Sequence, residues 1–217
     1  MTNKSTNGQV HRLIRPDSNQ SRDYLSGCKS FLGLQFPESY LLRANHFVLV
    51  DQSSKVLGGA LLVAQPGFRS LDGIPDANRN RALETVGDVR AIAEINGVWL
   101  DCCLTSPYLT FSFWCQIIER LLETEKDAFL FTFDNSNERM WQVAKSTGAN
   151  ILYSGFTLQL PGMENPANET IAFIDRKSLE VFQTLLLRRN HGRSTFDEVK
   201  TAQRIGSRMI KHDFSNT

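Results

Sequence analysis

The run Ala128-Phe-Leu-Phe-Thr-Phe-Asp134 is apolar at nearly every position. A strand with one wet face alternates between apolar and polar residues. A run without that alternation fits a buried central strand covered on both faces. Segments with helical spacing flank it. Upstream, Trp114, Ile117, Ile118, Leu121 and Leu122 form one apolar stripe over about 110–123, with Glu119, Arg120 and Glu123 facing water. Downstream, residues 135–149 read as a short helix that Asn135 or Ser136 can cap and Gly148 can end. Strands over 90–104, with an interruption at Asn96-Gly97, and over 150–160 complete a βαβαβ alternation. That pattern calls for a partly parallel sheet with helices packed on it.

The first half supplies more strands. Residues 10–14 alternate and read as a short strand. Over 18–34, Tyr24, Leu25, Cys28, Phe31 and Leu32 fall at helical spacing, behind a cap at Asp17 or Ser18. Residues 40–66 read as a hairpin with strands at 45–51 and 56–64, joined by Asp51–Lys55. Gly58-Gly59 predicts a bulge or a close backbone approach. Residues 66–88 are polar and rich in turn formers, which predicts a long loop with one helical turn near 77–84. Loops of that length often serve as functional lids. A last strand is expected over 170–175. Helices follow at 176–189 and 196–210, the second opening with the capping box Thr195-x-x-Glu198.

A chain of 217 residues suits one domain of ordinary size and can bury a real core. Its net charge of +1 excludes a global field for nucleic acid, so any basic surface is local. The cysteines Cys28, Cys102, Cys103 and Cys115 form no CxxC pair, and the histidines at 11, 46, 191 and 212 are scattered. No metal site is expected from such spacing. Reduced, buried thiols in a cytoplasmic protein are the expectation. The polar first residues lack the apolar core of a signal peptide, and residues 1–8 read as a flexible tail. No apolar run approaches the length that spans a membrane. The 14 phenylalanines predict a Phe-rich core, with an apolar tunnel for a fatty or aromatic ligand as the alternative.

Three stretches make the element order specific: His46–Gln65, Val98–Leu122 and Phe131–Phe156. Together they resemble the GCN5-related N-acetyltransferase (GNAT) superfamily. Asn137 stands where that family has an Asn after the strand, and Gly148 matches its Gly. The resemblance implies an α/β fold, a mixed, partly parallel sheet flanked by helices, over residues 9–160. Residues 161–217 would be a strand and helical extension packed on the same domain. The segment Glu94–Leu100 is also similar to a strand of the acyl-homoserine-lactone and N-acyl amino acid synthases, and of the phage Mom-type DNA modification proteins. Gly97 replaces their Arg.

Two departures bear on activity. The family holds the coenzyme A pyrophosphate with a glycine-rich Gln/Arg-x-x-Gly-x-Gly/Ala loop and the helix N-terminus behind it. Here the matching stretch is Thr110-Phe-Ser-Phe-Trp-Cys115, with main-chain N–H groups expected to be available from about Phe111 to Trp114. The family's frequent general acid, a Tyr four residues before the Gly, is Ala144 here. Three readings are open: phosphate held in a modified way, a 4′-phosphopantetheine arm from an acyl carrier protein, or loss of the donor.

The resemblance implies an N-acyltransferase that moves an acyl group from acyl-CoA or an acyl carrier protein to a small-molecule amine or a peptide. Such chemistry needs a base for the ammonium proton and donors for the oxyanion. Glu94 and Asp101 are the expected catalytic carboxylates, partial burial raising Glu94 toward a useful pKa. Donor contacts are expected from the main chain of Cys102, Cys103 and Leu104, and from Thr110, Phe111, Ser112, Phe113 and Asn137. Trp99 and Tyr108 are expected to line the acceptor or acyl site. The structural alternatives are core packing for Trp99 and helix capping for Asn137. Two further functions are carried: a non-catalytic GNAT-like binding module, and a nucleic-acid-modifying enzyme using the basic residues between Arg188 and Lys211.

Overall fold

The computed structural model describes residues 11–101 and 107–191, with side chains over 11–101 and 109–186. Seven strands form one sheet: β1 (Arg12–Ile14), β2 (Ala44–Val50), β3 (Val56–Val63), β4 (Ile92–Leu100), β5 (Ala128–Asp134), β6 (Asn150–Phe156) and β7 (Asn168–Asp175). Their spatial order is β1-β2-β3-β4-β5-β7-β6. Strands β4 and β5 run parallel, and every other neighbouring pair is antiparallel. The mixed, partly parallel sheet expected from the sequence is present, and the 170–175 strand lies inside it, between β5 and β6.

Residues paired across strands point to the same face. Val63, Glu94 and Leu130 therefore share one face. Helices α1 (Ser18–Leu32), α2 (Glu38–Leu41), α3 (Arg69–Asp72) and α4 (Asp76–Val86) supply the side chains that join those strands in the main core cluster. Helix α6 (Glu138–Thr147) packs Ala144, Met140 and Trp141 against Phe131, Phe133 and Ala172. On α5 (Pro107–Leu122), the Arg120 guanidinium lies over the Phe47 ring at 5.8 Å. β3 is buried at all eight positions, as a strand between two helical layers must be. Phe36, Phe47, Phe68, Phe113, Phe129 and Phe133 are buried, in line with a Phe-rich core.

The caps explain most boundaries. Asp17 accepts from the Asn19 and Gln20 main chain, and the Gln20 side chain answers the Asp17 N–H, a complete capping box. Helix α5 opens at Pro107, three residues before the expected start at about 110. Proline suits the first helical position because its missing N–H has no partner there anyway.

Residues 66–88 differ from the expected loop. They hold α3, α4 and the turn between them, and a 3₁₀ turn at Val89–Ala91 follows. Ala82 is the single buried residue of α4, so the helix has no apolar stripe for periodicity to detect.

Gly59 shows why β3 needs small residues. A Cβ there would sit 2.8 Å from the Tyr24 ring and closer still to the Phe47 carbonyl. Helix α1 approaches the sheet at this point, and Tyr24 stacks on Trp99 with ring centroids 6.0 Å apart. Gly59→Ala should destabilise the fold by about 2–3 kcal/mol through overpacking, read as a lower urea midpoint at unchanged slope.

The sheet and its helices belong to a compact unit that ends at Leu179, and a second unit begins at Glu180. Helix α7 (Arg176–His191) spans that boundary. The expected helix over 196–210 lies outside the described residues.

Candidate active site

The parallel pairing of β4 with β5 is short. It runs Ile92↔Ala128, Ala93↔Phe129 and Glu94↔Leu130, and stops. Beyond that point β4 pairs with β3 alone and β5 with β7 alone. The two strands part, and a cleft opens toward their C-terminal ends, where α/β sheets bind ligands. A bulge accompanies the parting. Gly59 pairs with Trp99 and Leu61 with Asn96, so Ala60 faces both Gly97 and Val98. Gly97 adopts φ +61°, a conformation glycine enters without strain. The Tyr24 hydroxyl donates to the Gly97 carbonyl at 2.7 Å and fixes the bulge from the helix side.

Glu94 sits at the last paired position and is fully buried. The Tyr40 hydroxyl and the Arg69 N–H donate to its Oε2 at 2.6 and 3.1 Å. The Ser70 N–H donates to Oε1 at 2.5 Å, and the Ser70 hydroxyl bonds the same oxygen. A carboxylate offers about four acceptor positions, and all four are spent. Burial pushes the Glu94 carboxyl above its ordinary value, opposed by the donors from Ser70, Tyr40 and Arg69. Tyr40 is held far above the usual phenol range, by burial first and then by the Glu94 charge.

Arg69 lies next to this cluster. It is 8% exposed, and its guanidinium stands over the Phe36 ring at 5.7 Å. Its Nη2 is buried and has no hydrogen-bond partner among the described residues. Arg69 lines a hollow of about 30 Å³ between the diverging strands and the β6–β7 loop. Asn96, Thr132 and Glu169 line the sheet side, and Leu34, Leu160 and Met163 the apolar side.

Glu169 pairs across the strands with Asp134, so two carboxylates stand side by side. Their environments push them apart. The Ser136 hydroxyl and N–H hold Asp134 below the ordinary carboxylate range. Burial raises Glu169, the Asp134 charge raises it further, and Arg69 pulls the other way. The Asp134 charge is thus favoured, while the Glu169 charge is disfavoured. Such a split marks acid–base assignments.

The residues expected from the sequence fall in different places. Trp99 is buried, donates from Nε1 to the Tyr24 carbonyl at 3.2 Å and packs against Phe31. Asp101 is half-buried just past the end of β4, where its N–H donates to the Leu57 carbonyl. Asn137 caps α6, its Oδ1 accepting from the Met140 N–H at 3.1 Å. Thr110 is exposed, Phe111 and Ser112 are half-buried, and Phe113 is in the core. The expectation of free N–H groups from Phe111 to Trp114 needs correcting. They lie inside α5 and donate to the carbonyls four residues back. The helix's unspent N–H groups belong to its first turn, at Tyr108 and Leu109. Cys102, Cys103 and Leu104 lie outside the described residues, as does the Tyr108 side chain.

Sequence reasoning missed Arg69, Asn96 and Glu169. One signal was available. Glu169, Ile171 and Phe173 share a face, so a carboxylate sits in line with core positions. Arg69 gave no such signal.

No protein-family model matches the chain, and no curated protein matches it in sequence. Solved structures do match. FeeM, an N-acyl amino acid synthase from uncultured soil microbes, aligns with TM-score 0.55 over 80% of this chain and 93% of its own, at 14% identity. The ribosomal-protein-S18-alanine N-acetyltransferase of Escherichia coli gives 0.52, covering 76% and 94%, at 10% identity. The CoA-dependent acyl-homoserine lactone synthase BjaI gives 0.51, covering 82% and 90%, at 12% identity. At such identities the likeness is one of fold. The chain has the GNAT fold in a divergent form.

The Glu94 cluster sets a stability prediction. Glu94→Gln exchanges one acceptor for a donor and should cost about 1–3 kcal/mol. Glu94→Ala strands several buried donors and should cost at least about 3 kcal/mol. Urea unfolding of both variants checks the order.

Proposed function

We propose that the chain is an N-acyltransferase that moves an acyl group from a thioester donor, acyl-CoA or an acylated carrier protein, to an amine. The observation behind this reading is the cleft between β4 and β5, which opens onto a hollow holding a buried guanidinium and a carboxylate of raised pKa. In the reaction the amine nitrogen attacks the thioester carbonyl carbon. A C–N bond forms, the C–S bond breaks, and the amine proton passes to a base. The thiolate leaves and takes a proton from solvent, because the position of the family's acid is Ala144, on the buried face of α6 against Phe133. Main-chain N–H groups of β4 left without a β5 partner beyond Glu94 suit a developing oxyanion.

The base in this proposal is Glu169. Glu94, with its acceptor positions spent, positions Arg69 and Ser70 instead. Asp101 is the alternative base. The donor's phosphate or phosphopantetheine end would meet the first turn of α5. Phe113 turns its ring into the core, so its bulk does not face the donor. FeeM is an N-acyl amino acid synthase and BjaI a CoA-dependent synthase, which supports thioester chemistry on this fold.

Two measurements test the proposal. A donor that binds the native state raises its melting temperature. At about 100 times its Kd the gain is about 2.7 kcal/mol, several degrees for a chain of this size. Acetyl-CoA, a long-chain acyl-CoA or an acylated carrier protein should each be tried. No shift with any of them overturns the reading and leaves a non-catalytic binding module. The pH profile tests the base. Glu169 must be ionised to act, so kcat/KM should fall as pH drops through its raised pKa. Glu169→Gln should lower kcat/KM about 10²–10⁴-fold and remove that limb. If Asp101→Asn removes it instead, the role belongs to Asp101.

A further inference from the structure

We infer that the hollow between Arg69 and Glu169 is the acceptor subsite and takes a zwitterion, the carboxylate and ammonium of a free α-amino acid. The inference deepens the acyltransferase reading and rests on it. Buried polar groups in folded proteins almost always have partners, and an orphan needs a reason. Arg69 Nη2 is such an orphan, on a side chain more than nine-tenths buried. No carboxylate among the described residues hydrogen-bonds it. Glu94 lies close but gives its oxygens to Tyr40, the Arg69 main chain and Ser70. The guanidinium thus keeps an unspent donor on a side chain that lines a cavity, which suits an acceptor oxygen brought by a ligand. Guanidinium N–H groups match carboxylate geometry.

Charge selects the ligand class. A phosphate or simple anion meeting Arg69 would also meet the Glu169 and Asp134 carboxylates paired at the end of β5 and β7. A simple amine drawn to Glu169 would meet the buried guanidinium. A zwitterion answers both. Its carboxylate takes the Arg69 Nη2 hydrogens, and its ammonium lies at Glu169. Asn96 and Thr132 offer neutral hydrogen-bonding groups between them. The geometry also sets the chemistry. The ammonium at Glu169 gives up its proton there, which frees the amine for attack.

Isothermal titration with no donor present tests this. The twenty L-amino acids are titrated, each against its α-carboxamide, which keeps the ammonium and lacks the carboxylate charge. At least one acid should bind, with an affinity at least tenfold above its amide. Arg69→Met should reduce that acid to the affinity of the amide. Equal binding of acid and amide, unchanged binding by a folded Arg69→Met, or no binding by any acid overturns the inference. If Arg69→Met does not fold, the acid–amide comparison on the unaltered chain decides. A donor-induced melting shift with no amino-acid binding would sink this inference and leave the acyltransferase reading standing. Amino-acid binding without a donor shift would overturn the acyltransferase reading and the acceptor role with it, leaving the hollow an amino-acid site that serves no transfer.

Discussion

A carboxylate with no exposed surface holds together the segments that make the site. Glu94 lies on β4, yet its partners are Tyr40 on α2 and Arg69 and Ser70 at the start of α3. Helix α3 is four residues long and could not persist alone. Its N-cap position is Phe68, which has no side-chain oxygen to offer. Glu94 supplies from the sheet the acceptor that a capping residue supplies in other helices. The direction of the Arg69 backbone, and so of its side chain, depends on that bond. An acid placed here is costly to bury, and the cost is offset only while all four donors are in place.

The same strand position decides where the sheet opens. Glu94 pairs with Leu130, and the next pair does not form. The bulge at Gly97 inserts a residue into β4, twists it and turns it toward α1, where Tyr24 bonds the Gly97 carbonyl and stacks on Trp99 of the strand. β5 meanwhile stays flat against β7 through Asp134. One strand follows α1 and the other follows β7. The cleft is the consequence of those two loyalties, and the buried acid lies at its root.

How much of this the sequence revealed depends on the kind of signal. The Ala128–Asp134 run, the stripe on α5 and the hairpin at 40–66 are written in periodicity, and the sheet expected from them formed. Asn96-Gly97 announced the break in β4, and Gly58-Gly59 a close approach, made by the main chain of β4 at Gly58 and by the Phe47 carbonyl and Tyr24 ring at Gly59. Helix α4 was hidden because it buries Ala82 alone and has no stripe. The start of α5 was hidden because Pro107 precedes the apolar pattern. The site was harder still. Arg69, Asn96 and Glu169 come from α3, β4 and β7, separated by long stretches of chain, and no local pattern brings them together. Glu94 stood out as an acid in an apolar strand, but its role depends on how many donors surround it, which no single strand can show.

The position of β7 is the last element the chemistry needs. A simple βαβαβ order would set β6 beside β5. Here the chain passes over that place and returns, so β7 fills it antiparallel. The return sets Glu169 directly opposite Asp134. Like charges facing each other across strands are unfavourable, and the chain resolves the conflict unevenly. Ser136, in the turn before α6, stabilises the Asp134 charge, while the half-buried Glu169 has only Arg69 to favour its ionised form. The strain of the pair is therefore stored on one residue, the one that faces the hollow. An acid held reluctant to ionise beside a guanidinium lacking a full set of partners is a poor arrangement for stability. It is a good one for receiving a ligand that brings both charges, and for taking a proton from it.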